Sequence, residues 1–148
     1  MKCVIFGLGF SAQAFVRFAK GRFSSVTGTV TTREKADRLS KTLCPCHVFT
    51  EETADPALSE ALMTADALLI SIGPDDKGDP VLRHYAKTIE ASPSLRWIGY
   101  LSTIGVYGDA QGGWVDETTP PTPSHARTLI RVGVEQAWLD FGKKTNIP

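Results

Sequence analysis

Residues 3–15 read CVIFGLGFSAQAF and place two glycines where a short apolar run gives way to a segment of helical period. The run CVIF (3–6) has the length and composition of a buried strand. The segment after the glycines repeats its apolar residues at helical spacing, at Ala12, Phe15, Val16 and Ala19. The stretch therefore predicts a strand, a tight turn and a helix in direct succession.

Gly7, Gly9 and Ala12 within this stretch match the pattern G-x-G-x-x-G/A. In a strand-turn-helix unit the first glycine makes the turn, the second lets a pyrophosphate approach the backbone, and the third position keeps the helix close to the strand. Phe10 and Ser11 then begin the helix, whose first N–H groups favour a phosphate. The pattern indicates dinucleotide binding, and the alternative is a turn with a purely structural role.

Strand-like and helix-like segments alternate along the whole chain. The candidate strands are KCVIF (2–6), VTGTVT (26–31), CHVF (46–49), ALLISI (67–72) and RWIGYL (96–101). Candidate helices follow the first and second strands, a third begins at Asp79 and Pro80, and the last ends at Gly142. This alternation predicts an α/β fold, a Rossmann-type doubly wound parallel sheet with helices on both faces. We expect about five strands in the order 3-2-1-4-5, in one dinucleotide-binding domain over residues 1–148.

The composition excludes several classes of protein. The 148 residues carry 16 basic and 16 acidic side chains, so no net charge favours nucleic acid or an anionic membrane. The longest apolar runs are too short to span a bilayer, and the N-terminus lacks the features of a signal peptide. These features predict a cytoplasmic protein.

The three cysteines, Cys3, Cys44 and Cys46, are an odd number in a chain without secretory features. The segment CPCH (44–47) contains zinc-ligating residue types, but no second Cys or His pair stands at ligand spacing. We therefore expect no disulfide framework and no metal site, and interpret the thiols as structural.

The residues after the second strand bear on the choice of dinucleotide. NAD sites usually place a carboxylate there for the ribose 2′-hydroxyl, whereas this chain reads TTR (31–33). Arg33 can pair with a 2′-phosphate and Thr32 can donate to it, which favours NADP over NAD. The alternative is a solvated Arg33 that Glu34 neutralises.

Residues 100–138 carry a second group of features. A strand end with Ser102 and Thr103 precedes VYG (106–108), and a glycine- and proline-rich loop (108–125) leads to a helix that contains EQAW (135–138). A loop of this length in a compact domain is usually functional, and we interpret it as one side of a ligand cleft. This segment resembles the extended short-chain dehydrogenase/reductase superfamily, and more closely an atypical branch of the NAD-dependent epimerase/dehydratase family. The resemblance covers essentially all of the chain.

The resemblance implies roles for several residues. Thr103 falls where the family keeps its active-site Ser or Thr, which hydrogen-bonds the substrate oxygen. Residues 71–74 (SIGP) fall where family members pass their backbone along the cofactor ribose, which implies that Ile72, Gly73 and Pro74 contact the cofactor.

The family's catalytic Tyr-x-x-x-Lys falls on Arg127 and Arg131. Arginine stays protonated and cannot exchange a proton in acid–base catalysis. Two guanidinium groups on one helix face suit an anion, either a substrate carboxylate or phosphate or the cofactor. The alternative places both on the solvated face. Tyr107 is a candidate substitute acid, and the absence of G-x-S-x-G leaves histidine-assisted hydrolysis without a nucleophile.

Two functions remain open from the sequence. The first is an NADP-linked oxidoreductase or epimerase-type enzyme for a small anionic or sugar-like substrate. The second is a dinucleotide-binding or sensor protein without catalysis. Family members continue with further strands and a substrate-binding region, which we expect to be absent here, leaving the edge of the fifth strand unpaired. Exposed edges and the helices at 81–92 and 126–142, which resemble the family's dimerisation helices, predict a homo-oligomer, most simply a dimer.

Overall fold

The computed structural model describes residues 1–50, 52 and 55–148. These residues form one five-stranded sheet in the order β3-β2-β1-β4-β5, with every neighbouring pair parallel. The predicted fold class and strand order are confirmed. The strands are β1 (Lys2–Phe6), β2 (Ser25–Val30), β3 (Cys46–Val48), β4 (Ala67–Ile70) and β5 (Trp97–Tyr100).

The strand register brings the carboxyl ends of all five strands to one edge of the sheet. Ile5 of β1 lies opposite Gly28 of β2 and Leu69 of β4, and Ile70 of β4 lies opposite Tyr100 of β5. All four residues of β4 and the last four of β1 are buried, because these central strands are covered on both faces. The loops that carry the predicted site residues therefore meet at this edge.

Five helices and one short 3-10 helix cover the sheet among the described residues. They are α1 (Phe10–Phe18), α2 (Arg33–Thr42), α3 (Pro56–Met63), α4 (Pro80–Ala91), α5 (Ala126–Thr145) and the 3-10 helix Ile104–Tyr107. Side chains of α1 and α2 share one apolar core with β1 and β4, and those of α3, α4 and α5 share a second core on the opposite face. The apolar stripes of these helices fix which side of the sheet each one covers.

Two helices begin with the same Asp-Pro signal, but only one was predicted. Asp79 caps α4 as expected, since its Oδ1 accepts hydrogen bonds from the N–H groups of Val81 at 2.8 Å and Leu82 at 2.9 Å. Asp55 caps α3 in the same way, accepting from the Ala57 N–H at 2.9 Å, and Pro56 follows it. No helix is predicted from the sequence at this position, although Asp-Pro is a helix start signal at both places.

The end of α5 was predicted wrongly. The helix continues past Gly142 to Thr145, and Asn146 ends it with a φ of 55° in the left-handed region. The chain then returns to the sheet, where the Ile98 N–H donates to the Pro148 carbonyl at 2.9 Å. The outer edge of β5 is therefore paired in part, contrary to the expectation of an unpaired edge.

The thiols of Cys3 and Cys44 lie in the apolar core. Cys3 and Cys44 belong to the core shared with α1 and α2, and burial raises the pKa of each to about 12. Across residues 1–50, 52 and 55–148, no three His, Cys, Asp or Glu side chains are grouped to hold a metal ion. Nor does this part of the chain contain a helix long and apolar enough to cross a membrane.

Candidate functional site

The turn after β1 is held in a conformation that only glycine adopts readily. Gly7 has a φ of +92°, and a Cβ at this position would lie 2.5 Å from the Cγ2 of Ile72 in the loop after β4. The Gly7 N–H donates to the Thr29 Oγ1 at 2.9 Å, and Thr29 is fully buried in β2. The turn is therefore fixed between β2 on one side and the loop after β4 on the other.

Gly9, two residues later, faces open space. It is exposed, and no atom lies within 4 Å of the position that a Cβ would occupy. Gly9 is the N-cap of α1, and this helix has neither a side-chain cap nor an acidic residue in its first turn. Because the first N–H groups of a helix have no intrahelical partner, the N-terminus of α1 offers donors to a ligand. This cradle fits the pyrophosphate of a dinucleotide.

The other predicted cofactor residues of this segment differ in solvent exposure. Ala12 is fully buried, which lets α1 pack closely on the sheet. Ser11 is exposed beside Gly9, and Phe10 is 91% exposed at the first position of α1.

The start of α2 presents the residues predicted to choose between NAD and NADP. Thr32 is the N-cap, and its hydroxyl oxygen accepts a hydrogen bond from the Lys35 N–H at 3.3 Å. Arg33 is the first residue of the helix and is exposed. Among the described residues no carboxylate, including that of Glu34, lies within 4 Å of its guanidinium group.

A cavity of about 570 Å³ opens at the carboxyl ends of β2, β3 and β4. This is the place where ligands bind in open α/β sheets. Ile72 and Gly73, which the family resemblance assigns to the cofactor, line it, while Pro74 follows them and is half-buried. The remaining lining residues are Thr31, Phe49, Thr50, Glu52 and Pro80. Ile72 lines this cavity and also lies against Gly7, so the cavity and the glycine turn are adjacent at this edge of the sheet.

Thr103 lies just beyond β5, at the same edge of the sheet. It is exposed and caps the 3-10 helix, its hydroxyl oxygen accepting from the Gly105 N–H at 3.3 Å. Tyr107 ends that helix and is half-buried, and its carbonyl accepts a hydrogen bond from the Thr122 hydroxyl. This bond joins the 3-10 helix to the long loop.

The two arginines at the Tyr-x-x-x-Lys positions have different environments. Arg127 is exposed in the first turn of α5. Arg131 is buried, and its Nη1 donates to the Tyr100 hydroxyl at 3.1 Å and to the Leu101 carbonyl at 3.2 Å. The two arginines therefore share neither a cleft nor a solvated face, because Arg127 is exposed and Arg131 reaches the carboxyl end of β5.

Three polar side chains at this edge were not singled out from the sequence. Thr29 holds the glycine turn, Tyr100 accepts from Arg131, and Glu135 accepts a hydrogen bond from the Ser102 hydroxyl. Burial raises the pKa of Tyr100, and the nearby Arg131 charge opposes that rise. The position of Thr29 and Tyr100 near the carboxyl ends of their strands is a sequence signal that could have indicated them, whereas Glu135 lies within α5 and no local signal marks it.

A larger cavity of about 860 Å³ lies between the outer edge of β5 and α5. Its lining is mostly apolar and includes Ile98, Trp138, Leu139 and Ile147. None of the residues that line it belongs to the glycine turn or to the loop after β4. The smaller cavity is therefore the better candidate for the dinucleotide.

No protein-family model matches the chain, and no curated protein sequence matches it. Solved structures do. A functionally unknown conserved protein from Silicibacter pomeroyi shares 35% identity with a TM-score of 0.79, over 95% of this chain and 49% of that one.

Two sugar-nucleotide enzymes have the same fold at lower identity. UDP-glucuronic acid 4-epimerase from Bacillus cereus, in complex with NAD, shows 19% identity and a TM-score of 0.73 over 100% of this chain and 54% of its own. dTDP-glucose 4,6-dehydratase from Bacillus anthracis, in complex with NAD, shows 14% identity and a TM-score of 0.76 over 100% of this chain and 52% of its own.

The chain thus spans about half the length of the solved structures that it matches. Two of these structures are an epimerase and a dehydratase, and the resemblance predicted from the sequence is confirmed for the fold that this chain shares with about half of each.

Proposed function

We propose that this chain binds a nicotinamide dinucleotide and forms the cofactor-binding part of an oxidoreductase or epimerase-type enzyme. The observation that carries the proposal is the open cradle at Gly9. The N-terminus of α1 is uncapped by side chains, free of acidic residues and accessible. The NAD complexes of the two sugar-nucleotide enzymes with this fold support the same class of cofactor.

We propose NADP as the preferred form of the cofactor. Arg33 is exposed at the start of α2 and has no carboxylate within 4 Å among the described residues, so its fork of donors is available for a 2′-phosphate. Thr32 uses its oxygen as an acceptor for the Lys35 N–H, which leaves its hydroxyl proton to donate.

The residues at the end of β5 suit the handling of a substrate oxygen. When bound, a nicotinamide supplies hydride transfer to or from a carbon atom. The Thr103 hydroxyl is exposed just after β5, at the carboxyl edge of the sheet, and can donate to the oxygen on that carbon. Arg131 stays protonated, so its role is to hold negative charge and not to exchange a proton. Tyr107 stays a candidate for the proton donor.

A second candidate function is dinucleotide binding without catalysis. The observation that favours it is the loss of Tyr-x-x-x-Lys. Arg127 occupies the tyrosine position and is exposed, and Arg131 occupies the lysine position with Nη1 bonded to neutral oxygens. A sensor or regulatory subunit needs the cradle but not the acid–base pair.

Calorimetric titration with NADPH and NADH tests the cofactor proposal. We expect saturable binding, tighter for NADPH, and a failure to bind either would refute it. A panel of carbonyl compounds and nucleotide sugars then separates the two functions by the absorbance of NADPH. Turnover that Thr103→Ala abolishes would establish an enzyme, whereas binding without turnover across the panel would favour the non-catalytic protein.

A further inference from the structure

Arg131 crosses from α5 to the carboxyl end of β5 inside the protein. Only 8% of the residue is exposed. Its Nη1 makes both hydrogen bonds described above, and its guanidinium carbon lies 5.7 Å from the centroid of the Tyr100 ring. One end of the guanidinium group is thus anchored on β5.

The other end lies against the loop after β4. A Cβ at Gly73 would lie 3.1 Å from the Arg131 Nη2, so this nitrogen lies against the loop after β4. Gly73 lines the cavity at the strand ends and directly follows Ile72, which contacts the glycine turn. Nη2 therefore lies at the edge of the predicted cofactor cleft, on its β5 side.

The positive charge of Arg131 has no matching negative charge among the described residues. None of their carboxylates lies within 4 Å of its guanidinium group. The carboxylates of Asp79 and Glu135, on adjacent elements, lie beyond this distance: the Asp79 Oδ1 caps α4 while its Oδ2 is buried without a hydrogen-bond partner, and Glu135 accepts from Ser102. The acceptors of Nη1 are neutral oxygens. Buried charges in proteins are normally paired, because burying a lone ion costs far more than a hydrogen bond returns.

We infer that Arg131 binds an oxyanion of the substrate, a carboxylate or phosphate group, through the face of its guanidinium that carries Nη2. This rests on the proposed function and specifies its substrate class. The pyrophosphate of the cofactor belongs at the N-terminus of α1, which has its own donors. The anion beside Gly73 and Leu101 is therefore the substrate's, and it places the substrate next to Thr103.

A structural role makes a different prediction. If Arg131 only joined α5 to β5 through Tyr100 and Leu101, its replacement would lower stability and leave the response to anions unchanged. The change in Tm caused by small anions therefore distinguishes anion binding by Arg131 from a purely structural role.

The test uses oxalate and inorganic phosphate as probes, at constant ionic strength set with potassium chloride, with and without saturating NADPH. We expect either probe to raise the Tm of the wild-type chain, and Arg131→Met to weaken probe binding by about tenfold or more. Arg38→Met is the matched control, because Arg38 is exposed on α2 and its loss removes the same charge.

Two further variants retain the positive charge at residue 131 and replace Arg131→Met in the test if that variant fails to fold. Arg131→Lys retains the cation without the guanidinium fork, and Gly73→Ala moves the fork through the 3.1 Å contact with Nη2. Both should weaken probe binding while the Arg38 variant does not.

The inference is overturned if neither probe stabilises the wild type, or if the Arg131 variants respond as the wild type does. Loss of NADPH affinity in Arg131→Met with an unchanged response to the probes would assign the side chain to the cofactor instead and would overturn it equally. A failure of the wild type to bind NADPH would refute the proposed function alone, since the arm without NADPH still tests the anion site.

Discussion

Gly7→Ala and Gly9→Ala add the same methyl group two residues apart in the glycine turn, and we expect opposite effects. At Gly7 the φ of +92° is unfavourable for an L-residue and the new Cβ would lie 2.5 Å from the Ile72 Cγ2. Left-handed strain and overpacking together should lower the free energy of unfolding by about 2 to 5 kcal/mol.

At Gly9 the backbone is extended, with a φ of −75° and a ψ of −169°, and a Cβ meets nothing within 4 Å. The weaker N-cap and the stiffer unfolded chain act in opposite directions, so the free energy of unfolding should change by less than about 1 kcal/mol. The methyl group does occupy the approach of the pyrophosphate. Loss of one charge-assisted hydrogen bond costs about 1.5 to 3 kcal/mol, so the Kd for NADPH should rise about ten- to a hundredfold.

Urea unfolding measures the first quantity for both variants, and calorimetric titration with NADPH measures the second. The wild type and Gly9→Ala should unfold at nearly the same urea concentration and differ in affinity. Wild-type affinity in Gly9→Ala would show that the cradle does not hold the phosphates, and a large loss of stability in that variant would contradict the open space around Gly9.

Three further predictions concern other surfaces. Arg33→Gln should weaken NADPH binding about tenfold and leave NADH binding unchanged, as measured by calorimetry, and an equal loss for both cofactors would refute a 2′-phosphate contact. Arg83 hydrogen-bonds Asp75 and holds the pKa of that carboxyl below its ordinary value. The pair therefore stabilises the fold fully above the pKa of Asp75 in the unfolded chain, about 3.9. This stabilisation is lost as the pH falls through the lower pKa that Asp75 has in the folded protein. Asp75→Asn should therefore lower the Tm at pH 7, and the difference in Tm between variant and wild type should become smaller at acid pH. A difference in Tm that does not change with pH would contradict this prediction. Leu139 is 60% exposed on α5. If the chain dimerises through α4 and α5, Leu139→Glu should convert the dimer to a monomer, as measured by sedimentation velocity. A monomeric wild type would refute dimerisation itself.

The arginines show where sequence reasoning reaches its limit at the candidate site. Spacing of four residues predicts that Arg127 and Arg131 share a helix face, but it does not state how deep each one lies. In the structure α5 begins at Ala126, so Arg127 lies in the exposed first turn, and Arg131 lies one turn further in, over β5. The partners of Arg131 are 30 and 31 residues away along the chain, and only the packing of α5 on β5 brings them together.

The sequence by itself determined the layer order of this protein. Apolar strand runs alternating with helical periods allow few arrangements other than a parallel sheet covered on both faces, and the glycine pattern located its first turn. These signals are local, since each is read within a dozen residues. Tertiary structure alone decided that Ile72 presses against Gly7, that Gly9 stays open, and that the Arg131 charge is buried without a carboxylate within 4 Å among the described residues. Such facts depend on distances between segments remote in sequence, which the carboxyl edge of the sheet brings within contact.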